Sequence, residues 1–179
     1  MPSLYRRLLG DAFNALPPSL RDFHDVQRER HFRAVFRITR GKGPLCGLLC
    51  RLGRLPPAGE QVPMRLRVVA EGERERWVRH FGSHRLESVQ WAAGGLMVES
   101  VGPLRLAFRL TVEGPTLHLE PVRAWVLGFD WPLPLAPRGV GVEVGRTDGC
   151  SVIVRAEAPL LGMLVQYEGL VVPDRKSVV

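Results

Sequence analysis

The chain has 179 residues, of which 45% are apolar and 24% charged, and its formal net charge is +7. These proportions exclude a disordered or fibrous protein and suit one globular domain spanning residues 1–179. No apolar run approaches the roughly 18 residues of a membrane-spanning helix. The positive charge is nearly all arginine, spread from Arg6 to Arg175 among acids, with only Lys42 and Lys176 as lysines. Without a basic cluster interleaved with stacking aromatics, this pattern argues against nucleic acid as the partner. Arg6, Arg7 and Asp11 interrupt the first apolar stretch, so a secretory signal is not expected and a cytoplasmic location is. Cys46, Cys50 and Cys150 form neither a disulfide framework nor a zinc set, and read as small buried hydrophobes in a reducing compartment.

Leu4, Leu8 and Ala12, flanked by Tyr5, Leu9, Phe13 and Leu16, predict an amphipathic helix over residues 3–16. Pro17 and Pro18 stop it, and Ser19 is placed to cap a short turn through Phe23. Asp22, His24 and Asp25 follow; at such a junction they are expected in solvent rather than in a metal or acid–base cluster. From His31 to Thr39 alternation is strict, with Phe32, Ala34, Phe36 and Ile38 on one face of a half-buried strand. Arg40-Gly41-Lys42-Gly43 is a turn with too few glycines for a phosphate-binding loop. The next segment, Pro44 to Leu55, places Leu45, Leu48, Leu49 and Leu52 at helical spacing, predicting a short apolar helix that plugs one end of a sheet or barrel. An interfacial membrane helix is the alternative, with Arg51 and Arg54 at the headgroups.

Pro63 opens a run of short alternating strands with turns at Gly72, Gly82-Ser83, Gly94-Gly95, Gly102-Pro103 and Gly114-Pro115, the pattern of an antiparallel meander. In the segment ERERWVRHFGSHRLESVQ, Trp77, Arg79 and Phe81 share one strand face, and His80 takes the other. Gly128 to Gly139 contains three prolines, which exclude a central strand, yet it carries Phe129, Trp131, Leu133 and Leu135. It reads as a loop folded over the core, or as a lid over a ligand cavity formed by residues 129–135. Strands resume at residues 140–144, 150–158 and 163–172, and residues 173–179 form a loose tail.

The expected fold is mainly β with some α: a strongly curved antiparallel sheet or barrel of about ten strands, with an N-terminal helix at 3–16, a β-rich core at 31–172 and the short apolar helix. Arg33, Arg37, Arg65, Arg67, Arg105 and Arg109 then share the face opposite the apolar one. That face is either the solvent side or a concave surface for an anionic ligand. No Gly-x-Ser-x-Gly elbow, His-Glu-x-x-His helix or dinucleotide fingerprint occurs, and Ser83, His84, His80 and Glu87 hold the residue types of a triad without evidence of its geometry.

The segments LYRRLLGDAFNALPPSLRDFH, LCRLGRLPPAGEQVPMRL and ERERWVRHFGSHRLES, with Phe36-Arg37-Ile38 and Arg40-Gly41, resemble the bacterial domain-of-unknown-function 4166 family over roughly residues 3–173. Members of that family stand alone or are fused behind saccharopine-dehydrogenase-like reductases. The resemblance implies a cytoplasmic bacterial accessory domain, supplies no catalytic residues, and implies no nicotinamide cofactor because the reductase portion has no counterpart here. The leading functional expectation is a non-catalytic, β-barrel-like binding domain for a lipophilic or amphipathic anionic small molecule, without metal or cofactor. Its candidate ligand-binding residues are Trp77, Arg79, Phe81, Arg105, Arg109, Phe129 and Trp131. The alternatives are an interaction domain that docks on a reductase or membrane-associated partner, and a small hydrolase or isomerase using His80 or His84.

Overall fold

In a computed structural model, residues 2–132, 136 and 138–174 are described. Three short helices open the chain: α1 (Leu4–Leu9), α2 (Ala12–Ala15) and α3 (Pro18–His24). The continuous helix expected over 3–16 is broken at Gly10, which ends α1 with a φ of 54° that glycine adopts without strain. Leu4, Tyr5 and Phe13 still reach a common core because the break turns the chain back on itself. Pro18 occupies the first turn of α3, where its missing N–H costs nothing.

The strands are β1 (Glu29–Arg40), β2 (Gly59–Glu71), β3 (Arg74–Phe81), β4 (His84–Ala93), β5 (Leu96–Val101), β6 (Leu104–Glu113), β7 (Thr116–Val126), β8 (Phe129–Trp131), β9 (Arg138–Arg146), β10 (Gly149–Ala158) and β11 (Gly162–Pro173). A further helix, α4 (Pro44–Leu52), joins β1 to β2. Every pairing is antiparallel, and the sheet closes on itself because β1 pairs with β11 and β7 pairs with both β6 and β9. The result is a ten-stranded antiparallel barrel, with β8 as a three-residue addition to the edge of β7. The short strand at Phe129–Trp131 replaces part of the expected loop and ends where Pro132 withdraws a donor. At the other terminus Pro173 completes β11; residues 175–179 of the expected loose tail lie outside the described residues.

Closure assigns the two faces of each strand. The apolar set Phe32, Ala34, Phe36 and Ile38 points inward, as do Met64, Leu66 and Val68. Arg33, Arg37, Arg65, Arg67, Arg105 and Arg109 are exposed on the outer wall, so the arginine-rich face is convex. The helices α1 to α3 fill one end of the barrel: Tyr5, Phe13, Leu20 and Phe23 are buried among Phe32, Val68, Trp77 and Leu117. Gly145 permits this approach, since a Cβ there would lie 2.5 Å from the Cβ of Pro17. The other end, here called the mouth, carries α4, the strap from Gly53 to Ala58, and the turns that follow Phe81, Val101, Val126 and Ala158.

The orientation of α4 corrects the plug expected from its leucine stripe. Cys46 and Cys50 are the buried face, set against Ala158 and Leu164, while Leu45, Leu48 and Leu52 expose 52%, 52% and 60% of their surface. Gly41 fixes this seating: a Cβ there would strike the Met163 carbonyl oxygen. It is the strap, rather than the helix, that crosses the mouth. The Leu55 carbonyl accepts from Arg40 on β1, and the Arg54 carbonyl lies 2.7 Å from His84 Nε2 at the start of β4.

Candidate ligand site in the barrel interior

The barrel interior carries more polar chemistry than the apolar alternation suggests. On β3 the inward positions are Glu75, Trp77, Arg79 and Phe81, because successive side chains alternate and this set begins in the plugged end. Glu75 is 2% exposed and accepts from Trp77 Nε1 at 3.2 Å and from the Leu4 backbone N–H at 3.3 Å. This carboxylate therefore anchors the first turn of the plug. His24, at the end of α3, is fully buried; its Nε2 lies 2.5 Å from Glu143 Oε2 on β9, and its ring stacks on Tyr5 at 3.8 Å. The expectation that His24 lies in solvent is thus overturned, because α3 runs into the barrel rather than along its surface. Neighbouring Asp22 and Asp25 do stay outside, paired with Arg30 and Arg6. Among the described residues no three His, Cys, Asp or Glu side chains converge as a metal site.

From the plug a chain of hydrogen bonds leads toward the middle of the barrel. The Tyr5 hydroxyl donates to Gln90 Oε1 at 3.2 Å, and Gln90 Nε2 donates to Glu99 Oε1 at 3.2 Å. Glu99 also faces Arg79 Nη2 at 3.5 Å, while Arg79 Nη1 donates to Ser88 Oγ at 2.8 Å. The Arg79 guanidinium lies 5.1 Å from the Trp77 ring centre. Although both side chains point inward, Arg79 and Glu99 keep 15% and 18% of their surface accessible. Interior-facing Leu104, Leu110, Val154, Ala156 and Tyr167 are likewise only half-buried. Burial around Arg79 and Glu99 is thus less complete than at the plugged end, although Phe36, Ile38, Phe81, Leu86 and Val165 are buried in the same cluster. A ten-stranded barrel has the girth to hold one small ligand, since eight strands already suffice.

Tyr167 on β11 faces this half-buried part of the interior. Its ring meets Phe36 and Phe81 edge-on at 5.4 and 5.5 Å, and its hydroxyl has no hydrogen-bond partner among the described residues. Burial pushes its pKa up to about 12, so it is a neutral phenol, able to donate and accept. Burial likewise raises the Tyr5 and Cys150 ionisations and lifts Glu75 above the usual carboxylate range.

The Glu75 shift gives a test with a definite sign. A carboxylate whose pKa is higher folded than unfolded holds its proton more tightly in the native state. Its contribution is full below the unfolded value near 4.5 and is lost as pH rises through the raised native value. Glu75→Gln removes that loss, so its melting temperature relative to wild type is expected to rise between pH 4 and pH 7; thermal melts across roughly that pH range measure it. A difference that stays flat or falls contradicts the assignment.

The barrel wall has a seam on one side, where β7 changes partner. The β7–β9 ladder runs from Thr116–Val144 to Leu119–Gly141 and stops there. Beyond it β7 pairs with β8, through Ala124–Trp131 to Val126–Phe129, so one edge of β7 serves β9 near the plug and β8 near the mouth. The connection between them places Ala136 fully buried in the barrel core.

The residues expected at a ligand site divide by face. Trp77, Arg79 and Phe81 come together inside, as their shared strand face predicts. Arg105 and Arg109 stand on the outer wall of β6, Arg105 over the Trp91 ring at 5.6 Å and Arg109 opposite Glu120 on β7. Phe129 and Trp131 are exposed on β8 beside the seam; Leu133 and Leu135 of the expected lid lie outside the described residues. His80 faces solvent while His84 turns to the strap, so the two rings do not share a face. Sequence reasoning missed Glu99, Glu143 and Tyr167, placed Tyr5 only on an apolar helix stripe, and set His24 aside as solvated. The alternation of Glu99 between Met97 and Val101 was the available signal.

No curated protein matches the chain. The model of the family described as domain of unknown function (DUF4166) matches residues 16–171, which takes in α3 and the barrel strands as far as Val171 in β11. The chain belongs to that family.

Proposed function

We propose that this protein is a binding domain for a small amphipathic molecule, held in the barrel lumen with its apolar body among Phe36, Phe81, Leu104, Val154 and Tyr167. The carrying observation is that Arg79 and Glu99, deep inside the wall, remain accessible and only loosely paired at 3.5 Å. An ion pair at that distance in a low-dielectric interior is not the tight, fully satisfied arrangement that burial demands. Arg79 therefore has a guanidinium available for an anionic headgroup, with Glu99 as the carboxylate that the headgroup displaces and Tyr167 as an additional donor. Three free, buried cysteines support a reducing compartment, the bacterial cytoplasm.

The test is titration of a fluorescent fatty-acid analogue into wild type, Arg79→Met and Glu99→Gln. Arg79→Met is expected to weaken binding by about tenfold or more, because the charge-assisted bond is lost in a dry site. Glu99→Gln removes the competing carboxylate and is expected to tighten binding. Weaker binding by Glu99→Gln, or no dependence on Arg79, overturns an anionic head at this position.

A further inference from the structure

We propose that the mouth end of the barrel docks on the surface of an anionic lipid bilayer. The proposal stands on the outer surface and does not require the lumen to hold a ligand. Leu45, Leu48 and Leu52 on α4, Leu127 in the β7–β8 turn, adjacent Phe129, and Leu160 in the β10–β11 turn are all exposed, and all lie at this end. The patch continues over the outer faces of β8, β9 and β10 through Trp131, Val140 and Ile153. Of the large apolar side chains exposed among the described residues, only Val35 lies elsewhere. Solitary surface leucines are ordinary; a concentration at one pole marks an interaction surface.

The charges at this pole select the partner. Lys42, Arg51, Arg54 and Arg138 are exposed around the apolar side chains and make no ion pair among the described residues. The nearby carboxylates face cations of their own: Asp130 meets Arg123, Glu157 meets Arg155, Glu87 meets Arg85 and Arg76, and Glu60 meets Arg37, which it shares with Glu168. At the opposite pole acids and arginines are interleaved and paired, Asp25 with Arg6, Glu73 with Arg7, Asp22 with Arg30, Glu71 with Arg76 and Asp148 with Arg146, and its hairpin tips are glycine and polar residues. The molecule is thus polarised along the barrel axis in apolarity, with its large exposed apolar side chains gathered at the mouth. Shallow apolar insertion ringed by cations is the chemistry of an interfacial lipid contact, where each basic group near an anionic surface adds to binding. Leucine side chains on α4 enter the headgroup boundary while Arg51, on the same helix, stays with the phosphates. A protein partner would need a complementary acidic and apolar groove, for which nothing on this pole supplies a shape.

Flotation with vesicles tests the proposal, using phosphatidylcholine alone and an equal mixture with phosphatidylglycerol. Wild type is expected to float with the mixed vesicles and to be released by high salt. The exposed triple substitution Leu45→Ser, Leu48→Ser, Leu52→Ser should lower partition by about tenfold or more, and Arg51→Glu with Arg54→Glu should abolish the preference for phosphatidylglycerol. Val35→Ser, outside the patch, should leave partition unchanged, and unchanged thermal melts show that each variant folds. No flotation with mixed vesicles overturns the proposal, as does flotation indifferent to the leucines. A dimer that dissociates on the same leucine substitutions, without vesicle binding, assigns the pole to a contact between copies instead. The fatty-acid titration on the same variants reads the lumen separately, so either claim can fail alone.

Discussion

Replacing Trp77 by alanine is expected to lower unfolding free energy by about 3–5 kcal/mol, the range for emptying a large aromatic site in a core. Trp77 is 3% exposed, lies on the wall of the plugged end, and meets Phe23 of α3 edge-on at 5.5 Å. Its loss removes the wall against which α3 packs. It also strips Glu75 of the indole donor, leaving a buried carboxylate with only the Leu4 N–H. An unsatisfied buried acceptor adds about 1–3 kcal/mol. Phenylalanine at the same position refills most of the volume without restoring the donor, so Trp77→Phe should fall between alanine and wild type. Urea unfolding of the three proteins measures both contributions. A loss below about 1 kcal/mol for alanine would mean that the plug is not seated on this ring.

The second large effect is expected at the pair joining α3 to β9. Among the described residues His24 has a single hydrogen-bond partner, Glu143, and its Nδ1 is buried without one. Glu143→Leu therefore leaves the imidazole alone in the core, and His24→Leu leaves the carboxylate alone. Breaking a buried pair from one side costs about 3–5 kcal/mol, whereas replacing both partners by apolar groups is often close to neutral. The double substitution is accordingly expected to recover most of what either single substitution loses. Strict additivity in a double-mutant cycle would show that the two groups do not act on one another. Because His24 sits on the plug and Glu143 on the wall, the singles should also increase proteolysis near Pro17 and Pro18 before global unfolding.

The architecture was legible where a physical period fixed it. Strict alternation in β1, β2 and β6 identified the strands and their buried faces, and glycine-rich turns about every ten residues separated them. Closure into a barrel followed from the amount of sheet. The helices were less legible. Periodicity carries straight through Gly10, yet one glycine with a positive φ broke the predicted helix in two. In α4 the leucine stripe pointed to burial and the cysteines did not, but the narrow face carrying Cys46 and Cys50 is the one that fits against Ala158 and Leu164. Hydrophobicity alone ranks faces by transfer energy and says nothing about which one meets a neighbour.

The interior site was half legible for a related reason. Alternation placed Trp77, Arg79 and Phe81 on one face, and continuing it back two residues would have added Glu75. The same reasoning applied to Glu99 gives a carboxylate between Met97 and Val101. Glu143 gives no such sign, because its inward neighbours are Gly141 and Gly145, which have no side chains to mark a face. The partners of Arg79 come from β4 and β5, and those of His24 from β9 and α1. Such contacts span 9 to 119 residues of sequence and become readable only when the strand order is known. The split of the arginines, Arg79 inside and Arg105 and Arg109 outside, likewise follows from closure rather than from any local pattern.

The proposed ligand is a small amphipathic molecule with its anionic head at Arg79 and Glu99. Native mass spectrometry of protein purified gently from a bacterial host, repeated after denaturation, tests it most directly. The account predicts a mass excess that disappears on denaturation and is reduced in Arg79→Met. A clean apo mass in the wild type, unchanged after incubation with a total lipid extract, would contradict it.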